Sequence, residues 1–150
     1  MDVRTGEPRS EPGFVSLLTQ IHKALNRRTS EDLLGMRFKL YMTLGYIRDH
    51  PGTSQQELES ALFIDANSVV LILNELEAAQ HSIRRRDPAD RRRHIVEITA
   101  SGRRALERAD KARESLEDEV LRDMSADERK SLRRLLERVL DNLLEPASRT

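Results

Sequence analysis

Residues 84–102, RRRDPADRRRHIVEITASG, decide how this chain folds. Two arginine triplets flank residues 87–90, where Asp and Pro are typical of a tight turn. The short segments 82–86 and 92–99 on either side predict two strands. Thr99 is a good N-cap, so a helix is expected to begin directly after the second strand. The pattern predicts a β-hairpin with an arginine-rich tip, followed by a helix.

Two short helices are predicted upstream of the hairpin. Ser54 and Glu57 have the spacing of a capping box for a helix over residues 55–62, in which the hydroxyl and the carboxylate each accept a backbone N–H. Asp65 is expected to cap a second helix over residues 66–79. The apolar stripe of this second helix consists of Val69, Ile72, Leu73 and Leu76. Two short helices separated by a few residues are typical of a helix-turn-helix unit.

Amphipathic segments lie at both ends of the chain. Helical spacing of apolar residues begins at Phe14, and a strongly apolar segment over 33–50 is stopped by Pro51. After the hairpin, one long helix is expected over 101–123, and Ser125 opens the last helix. The predicted order is four helices, the hairpin and two helices. The terminal helices carry more apolar surface than the small unit can cover, which favours a twofold dimer; an intramolecular bundle would explain the same periodicity.

Composition excludes several classes of protein. The 150 residues are expected to form one domain, and 35% charged with 3% aromatic residues favours a mainly helical chain. The absence of Cys excludes disulfides, thiolate metal sites and cysteine redox sensing. The first residues lack the apolar core of a signal peptide, and no apolar run approaches the length of a membrane span. We therefore expect an intracellular protein with no membrane partner.

The basic charge is concentrated in one place. The formal net charge is zero, yet residues 84–104 carry eight Arg against three acidic residues, a local charge of +5. Arginine suits phosphates and narrow minor grooves. The hairpin residues expected to bind DNA are Arg84, Arg86, Arg91, Arg92 and Arg93. Asp90 is expected to hold the turn in one shape by bonding the local backbone and a nearby arginine. Taken alone, the charge run is equally compatible with a solvated surface.

The helix pair carries the other candidate contacts. Ser54, Gln55 and Gln56 begin the first helix, where backbone donors and side-chain amides suit a phosphate. The candidates for base contact on the second helix are Asn67, Ser68, Val70 and Asn74. Asn can bond adenine in a bidentate manner, and Val can contact a thymine methyl. Val70 and its neighbour Leu71 are more apolar than a groove-facing helix usually is, so packing against another helix or protein stays open for both.

The sequence carries no catalytic motif. The four histidines, which are His22, His50, His81 and His94, lack metal-ligand spacing. No phosphate loop, dinucleotide fingerprint or nucleophile elbow is present. Aromatic residues are absent after Phe63, which argues against a stacking platform for single-stranded nucleic acid. We expect neither an enzyme nor a bound cofactor or metal.

The segment DPADRRRHIVEITASGRRAL, residues 87–106, resembles the wing of the MarR (multiple antibiotic resistance regulator) family. The family pattern is Asp-x-x-Asp-Arg-Arg, a hydrophobic strand, then Thr-x-x-Gly. It is matched by Asp87, Asp90, Arg91, Arg92, Val96, Ile98, Thr99 and Gly102. Residues 54–79 are similar to the helix-turn-helix of the family, and the helix order agrees over about residues 14–145. Gln80 departs from the family, which usually has Gly after the second helix.

The resemblance implies a mainly α, winged helix-turn-helix domain with a small β-hairpin wing. Residues 14–145 would form one domain, with the winged unit over 33–99 and dimerisation helices over 14–30 and 101–145. Residues 1–13 would be a flexible arm and residues 146–150 a tail.

The resemblance also implies a function. The chain would be a cytoplasmic homodimer, nucleoid-associated when DNA-bound, that binds a palindromic double-stranded operator. The second helix would enter the major groove and the wing arginines the minor groove. Such regulators usually repress nearby genes and release DNA when a small, often aromatic or anionic, effector binds. By position, His22, Arg37 and Tyr41 would border the effector pocket. The alternative is a helical interaction module whose basic hairpin binds an acidic protein.

Overall fold

Segments with strong caps and regular apolar spacing form the helices of this computed structural model, which describes residues 11, 13–29 and 31–145. The side chains of residues 31 and 32 are outside that description. The elements are α1 (Phe14–Arg28), α2 (Glu31–Leu34), α3 (Phe38–Asp49), α4 (Gln55–Leu62), α5 (Ala66–Ala78), β1 (Ser82–Arg86), β2 (His94–Ile98), α6 (Ala100–Val120) and α7 (Ala126–Leu144). Most of the predicted arm and all of the predicted tail lie outside the described residues.

Several predicted boundaries are wrong. The second strand was expected over 92–99, but β2 covers only His94–Ile98, because Arg93 closes the turn by donating its N–H to the Asp90 carbonyl. The apolar segment over 33–50 does not form one helix: α2 ends at Leu34, and Gly35 adopts a φ of 75°, in the left-handed region that suits glycine. Helix α3 therefore begins only at Phe38, and five helices rather than four precede the hairpin in the part of the chain described. The long helix ends at Val120, three residues earlier than expected, in a turn before the Ser125 cap.

The helix starts show which capping predictions hold. The Ser54 hydroxyl accepts the Glu57 N–H at 3.1 Å, but the Glu57 carboxylate accepts the Thr53 hydroxyl at 2.9 Å, so the predicted capping box forms by only one half. The Asp65 cap is confirmed by its bond from the Ser68 N–H. A complete capping box forms instead at α7, where Ser125 and Glu128 bond each other's backbone N–H groups.

The first of two compact units, residues 1–113, contains the hydrophobic core. All four residues of the predicted α5 stripe are buried, as expected: Val69, Ile72, Leu73 and Leu76. They belong to one cluster with fully buried residues from α3, α4, β2 and α6, which are Leu44, Leu58, Val96 and Leu106. Because this stripe is buried in the core, the opposite face of α5 points to solvent.

The hairpin is attached directly to the helix pair. Strands β1 and β2 are antiparallel, with Arg84 opposite Val96. The Val96 N–H donates to the Thr53 carbonyl at 2.9 Å, and Ser54 forms a bridge with Ile95. The segment that caps α4 therefore also extends the sheet, so α4 and the wing are connected through backbone hydrogen bonds.

A tight joint connects α5, β1 and α6. Gln80, where the family usually has Gly, has a φ of 63°. Its carbonyl accepts the Thr99 hydroxyl at 2.7 Å, and the same hydroxyl caps α6 by accepting the Gly102 N–H. The Thr99 N–H donates to the His81 carbonyl, and a Cβ placed on Gly102 would stand 2.1 Å from that oxygen. Only glycine fits at position 102.

The second compact unit, residues 114–150, contains the end of α6 and all of α7. Within it, the Arg129 guanidinium donates to the Asp118 carboxylate at 2.8 Å and to the Leu121 carbonyl at 2.9 Å. Helix α7 has no buried residue. In the described part of the chain, none of the helices is both long and apolar enough to cross a membrane.

Replacing Gly102 by Ala is expected to lower the free energy of unfolding by about 2 kcal/mol, in the range for overpacking a filled site. The added methyl would collide with the His81 backbone, which cannot move without breaking the joint. Gly45→Ala is the matched control, because Gly45 lies inside α3 and a methyl added there would meet nothing within 4 Å. That variant is expected to be as stable as the wild type or more stable. Urea unfolding measures both; equal stability of the Gly102 variant and the wild type would contradict the steric argument.

Candidate nucleic-acid interface

A stripe of uncharged residues runs along the solvent-facing side of α5. Four exposed residues, Asn67, Val70, Leu71 and Asn74, share one stripe because their spacing follows the helical repeat. Leu71 is 63% exposed and Val70 38%. Helix α5 contains no Lys or Arg at all. The stripe therefore offers two amides and two apolar side chains to whatever it contacts.

Ser68, also predicted to contact bases, is committed to the helix cap. Its N–H donates to Asp65 at 2.8 Å and its hydroxyl to the other carboxylate oxygen at 3.1 Å. These bonds lower the pKa of Asp65, since each favours the ionised carboxylate. Ser68 therefore helps to begin α5, and its contact with a base stays a prediction.

Arg84 reaches from the wing to α5. Its Nε donates to Glu77 Oε1 at 2.6 Å and its Nη2 to Oε2 at 3.0 Å, a bidentate pair. The same Nη2 donates to Asn74 Oδ1 at 2.6 Å. The structure thus brings together two residues, Arg84 and Asn74, that the sequence proposed separately. The Arg84 side chain is only 23% exposed.

Two further arginines at the base of the wing have carboxylate partners. Arg85 donates to Glu97 across the hairpin at 2.6 Å, and Arg93 lies 3.5 Å from the Glu57 carboxylate. The observed register places Glu97 diagonally opposite Arg85, a contact that was not predicted from the sequence. The Glu57 and Glu77 partners were missed, since these contacts join separate elements and leave no local signal.

The tip of the wing is shaped by its aspartates. Asp87 accepts the Ala89 N–H at 2.8 Å, and Asp90 accepts the Arg92 N–H at 3.1 Å. The Arg86 guanidinium donates to the Arg91 carbonyl at 3.0 Å. The predicted role of Asp90 thus has a structural counterpart in its bond to the backbone.

Arg91 and Arg92 are the most available cations of the wing. The Arg92 side chain is 96% exposed, and its Nε lies 4.0 Å from Asp90. Arg91 is exposed as well, and its guanidinium has no ion-pair partner among the residues that the structure describes. The pairs at the wing base therefore leave the excess positive charge concentrated at the tip.

The three residues predicted at the start of α4 have different environments. Ser54 is buried, with its hydroxyl used as the cap, Gln55 is half-buried and Gln56 is exposed. Gln56 lines a surface cleft of about 460 Å³ together with Tyr46, Ser54, Glu57, Ser60, Ala61 and Arg93. The cleft opens where α4 meets the base of the wing, so Gln56 is the best exposed of the three for a backbone contact.

The predicted effector residues are engaged elsewhere. His22 bonds Asn26 within α1, and Arg37 pairs with Glu75 of α5 at 2.5 Å. Tyr41 is buried and donates to Asp110 at 2.5 Å. The contacts therefore place these three residues in separate interactions, and their role in binding an effector stays a prediction.

Tyr41 belongs to a polar cluster on α3 and α6. Asp110 accepts both the Tyr41 hydroxyl and, at 2.7 Å, the Arg48 guanidinium, while the Arg113 Nε donates to the Tyr41 oxygen. Burial, followed by the bond to Asp110, raises the pKa of Tyr41. Burial opposes ionisation of Asp110 too, but the bonds from Tyr41 and Arg48 hold its pKa below the usual value. The cluster is fully bonded and joins α3 to α6. Within the described residues, no group of His, Asp and Glu could hold a metal ion.

Comparisons with known proteins agree with this geometry. The family model described as MarR family matches residues 34–93. A proposed transcriptional regulatory protein for the hcr operon of Thauera aromatica is 34% identical over 112 residues, which are 75% of this chain and 68% of that protein. The transcriptional repressor NicR of Pseudomonas putida is 31% identical over 102 residues, 68% of this chain and 65% of the repressor. This second match therefore spans slightly less than two thirds of its relative.

A solved structure shares the fold and contains DNA. A mutant of MarR from E. coli complexed with operator DNA is similar with a TM-score of 0.73 and 25% identity, over 83% of this chain and 91% of that chain. The predicted mainly α, winged helix-turn-helix fold is confirmed. These similarities, added to the capped helix pair and the arginine-tipped wing, show that the chain belongs to the MarR family of DNA-binding transcriptional regulators.

Proposed function

We propose that this chain is a homodimeric repressor that inserts α5 into the major groove of a palindromic operator and the wing tip into the adjacent minor groove. The observation that carries the proposal is the contrast between two neighbouring surfaces. The exposed stripe of α5 is uncharged, with Asn67 at one end and Asn74 at the other, whereas the wing tip presents Arg91 and Arg92. Base edges are read by amides and apolar groups, and phosphates attract cations.

The wing tip supplies affinity in this proposal. Because Glu77, Glu97 and Glu57 accept three arginines at the wing base, Arg91 and Arg92 are the cations most accessible to a phosphate or a narrow minor groove. Gln56 at the start of α4 adds a backbone contact. This arrangement favours DNA over an acidic protein as the partner, as does the similarity to a MarR complexed with operator DNA.

The terminal helices supply the dimer interface. Neither α1 nor α7 has a buried residue, although both are amphipathic. The large exposed apolar residues are Phe14, Val15, Leu17, Ile21 and Leu25 on α1, and Leu135, Leu136, Leu140, Leu143 and Leu144 on α7. Apolar faces of this extent are covered in stable proteins, and a twofold dimer covers the same face of both copies at once. It also presents two α5 helices to two half-sites about one DNA turn apart.

Repression and release by a small aromatic or anionic effector complete the proposal. Repression is supported by the similarity to NicR, whose name describes a transcriptional repressor, and the effector by the family resemblance alone. A cytoplasmic location follows from the proposed DNA partner. The function requires no catalytic group, metal or cofactor.

Replacing Arg91 and Arg92 together by Ala is expected to weaken binding to operator and unrelated DNA alike, because phosphate contacts are independent of sequence. The slope of log affinity against log salt concentration should fall by about 2 in magnitude, one for each lost contact. Fluorescence anisotropy with labelled duplexes from upstream of the protein's own gene, over a series of salt concentrations, measures both quantities.

Arg85→Ala is the matched control, because Arg85 lies in the same wing but is paired with Glu97. It should leave the slope nearly unchanged. An unchanged slope in the double variant would remove the proposed role of the tip, and a wild-type protein without salt-sensitive binding would remove the proposed function.

Thymine methyl groups are expected to contribute to recognition through Val70 and Leu71. Uracil differs from thymine only by lacking this methyl, so replacing thymine by uracil in a duplex selected from random sequences should weaken binding. The loss should be about fourfold per contacted methyl, equivalent to about 0.8 kcal/mol for one buried carbon. Leu71→Ala should reduce the difference between the two duplexes, and Val70→Ala combined with Leu71→Ala should abolish it. Ile83→Ala, which removes an exposed apolar side chain from the wing, should preserve it; equal affinity of the wild type for both duplexes would disprove the contact.

Leu140→Arg is expected to shift the protein from dimer to monomer, because it places a charge in the apolar face of α7. Sedimentation equilibrium should then give the monomer mass of 17.3 kDa, against twice that value for the wild type. Leu71→Arg makes the same change at an exposed leucine of α5 and should leave the dimer intact. A monomeric wild-type protein would refute the proposed assembly.

A further inference from the structure

The contact between Arg84 and Asn74 fixes which end of the Asn74 amide is used. Arg84 Nη2 lies 2.6 Å from the amide atom assigned as Oδ1. A guanidinium can only donate hydrogen bonds, so the amide atom facing it must be the oxygen. The amide nitrogen Nδ2 then points to the other side, with two N–H donors. The amide orientation therefore follows from the chemistry of its partner.

Arg84 is held in this position by a second residue. The bidentate pair with Glu77 fixes the guanidinium plane, with Nε to Oε1 at 2.6 Å and Nη2 to Oε2 at 3.0 Å. The Arg84 side chain is 23% and the Glu77 side chain 31% exposed, so the pair is partly shielded from solvent. Asn74 itself is exposed on the stripe of α5. The line Glu77–Arg84–Asn74 is therefore ordered before any DNA is bound.

An asparagine with a free amide and one with an occupied oxygen suit different bases. The free amide binds adenine with both ends, accepting from N6 and donating to N7. Arg84 takes one of the two lone pairs of Oδ1 and fixes the amide plane, so the two N–H donors of Nδ2 are the fully free groups of Asn74. In the major groove, guanine presents two acceptors, O6 and N7, without a donor beside them. An adenine at the same place would direct its N6 donor toward the amide N–H groups.

We infer that Arg84 is a positioning residue that makes Asn74 select guanine over adenine in each half-site of the operator. The inference rests on the proposed function, in which α5 enters the major groove. It changes the role expected of Arg84 from the sequence, because an arginine that contacts a phosphate would have to leave Glu77 and Asn74.

The inference is tested by selecting tightly bound duplexes from a pool with a random central segment, using the full-length protein and its variants. The position that loses its base preference in Asn74→Ala is the one that Asn74 reads. There the wild type should prefer guanine to adenine by about tenfold, the scale of one good base contact. Glu77→Ala combined with Arg84→Ala frees the amide without changing net charge, and should lose this preference or reverse it toward adenine.

Two further variants separate positioning from other effects. Arg84→Lys keeps the charge beside Glu77 but not the bidentate geometry, so it should relax the preference even if the double variant folds poorly. Arg85→Ala, in the same strand, should retain it. Because the guanine-to-adenine ratio is measured within each variant, a general loss of affinity does not alter it.

Each outcome has a distinct meaning. Adenine at the Asn74 position in the wild type, or a guanine preference that survives in both Arg84 variants, would overturn the inference and leave the proposed function standing. Uniform weakening at every position, with a smaller salt slope and an unchanged base preference, would show that Arg84 contacts a phosphate. If the wild type enriches no sequence, or if no α5 substitution affects the enriched one, the proposed function falls and the inference with it.

Discussion

The carbonyl of His81 is the point on which the geometry of the DNA-binding unit depends. It accepts the Thr99 N–H and lies directly against Gly102, so the end of the hairpin and the start of α6 are both packed onto the turn that connects α5 to β1. The neighbouring Gln80 turns the chain with a positive φ, and its carbonyl is held by the Thr99 hydroxyl. These contacts fix the direction in which the wing leaves α5. A helix and a wing can enter two grooves of one duplex together only if the direction between them is constant.

Acidic side chains determine which arginines of the wing are paired and which carry exposed charge. Six arginines lie within ten residues, but three have carboxylate partners on α4, α5 or the opposite strand, and a fourth bonds a backbone carbonyl. The pairs keep the base of the hairpin in register with the helix pair, and the exposed charge lies at the tip. In the proposed complex, affinity and selectivity would then come from different places, the first from a charged tip and the second from an uncharged stripe of α5.

The sequence predicted the parts of this arrangement that local chemistry controls. Residues 55–62 became α4 with the predicted bounds, Asp65 capped α5, and Thr99 capped α6. Contacts between separate elements were harder to predict from the sequence. The Glu57 carboxylate was expected to complete a capping box, but the Thr53 hydroxyl and Arg93 occupy it. The partners of Arg84 on α5 lie seven and ten residues away across a turn, and no periodicity reveals them. The turn at Gln80 has the φ of a glycine position but carries an ordinary side chain, so its shape follows from the joint around it.

Helix α5 bears two glutamates and no cation, which is an unusual charge for a helix that is proposed to enter a DNA groove. Both carboxylates are paired with arginines from other elements, Glu75 with Arg37 at the start of α3 and Glu77 with Arg84 on β1. The negative charge of the helix is thus balanced by residues of other elements, which the proposed approach to phosphates requires. Loss of either arginine would leave a carboxylate of α5 unpaired, and that carboxylate would repel the phosphates in the proposed complex. Arg37 would have this effect without contacting DNA itself. Sequence changes at the two arginines and the two glutamates should consequently be constrained in pairs, as a condition of electrostatic neutrality on α5.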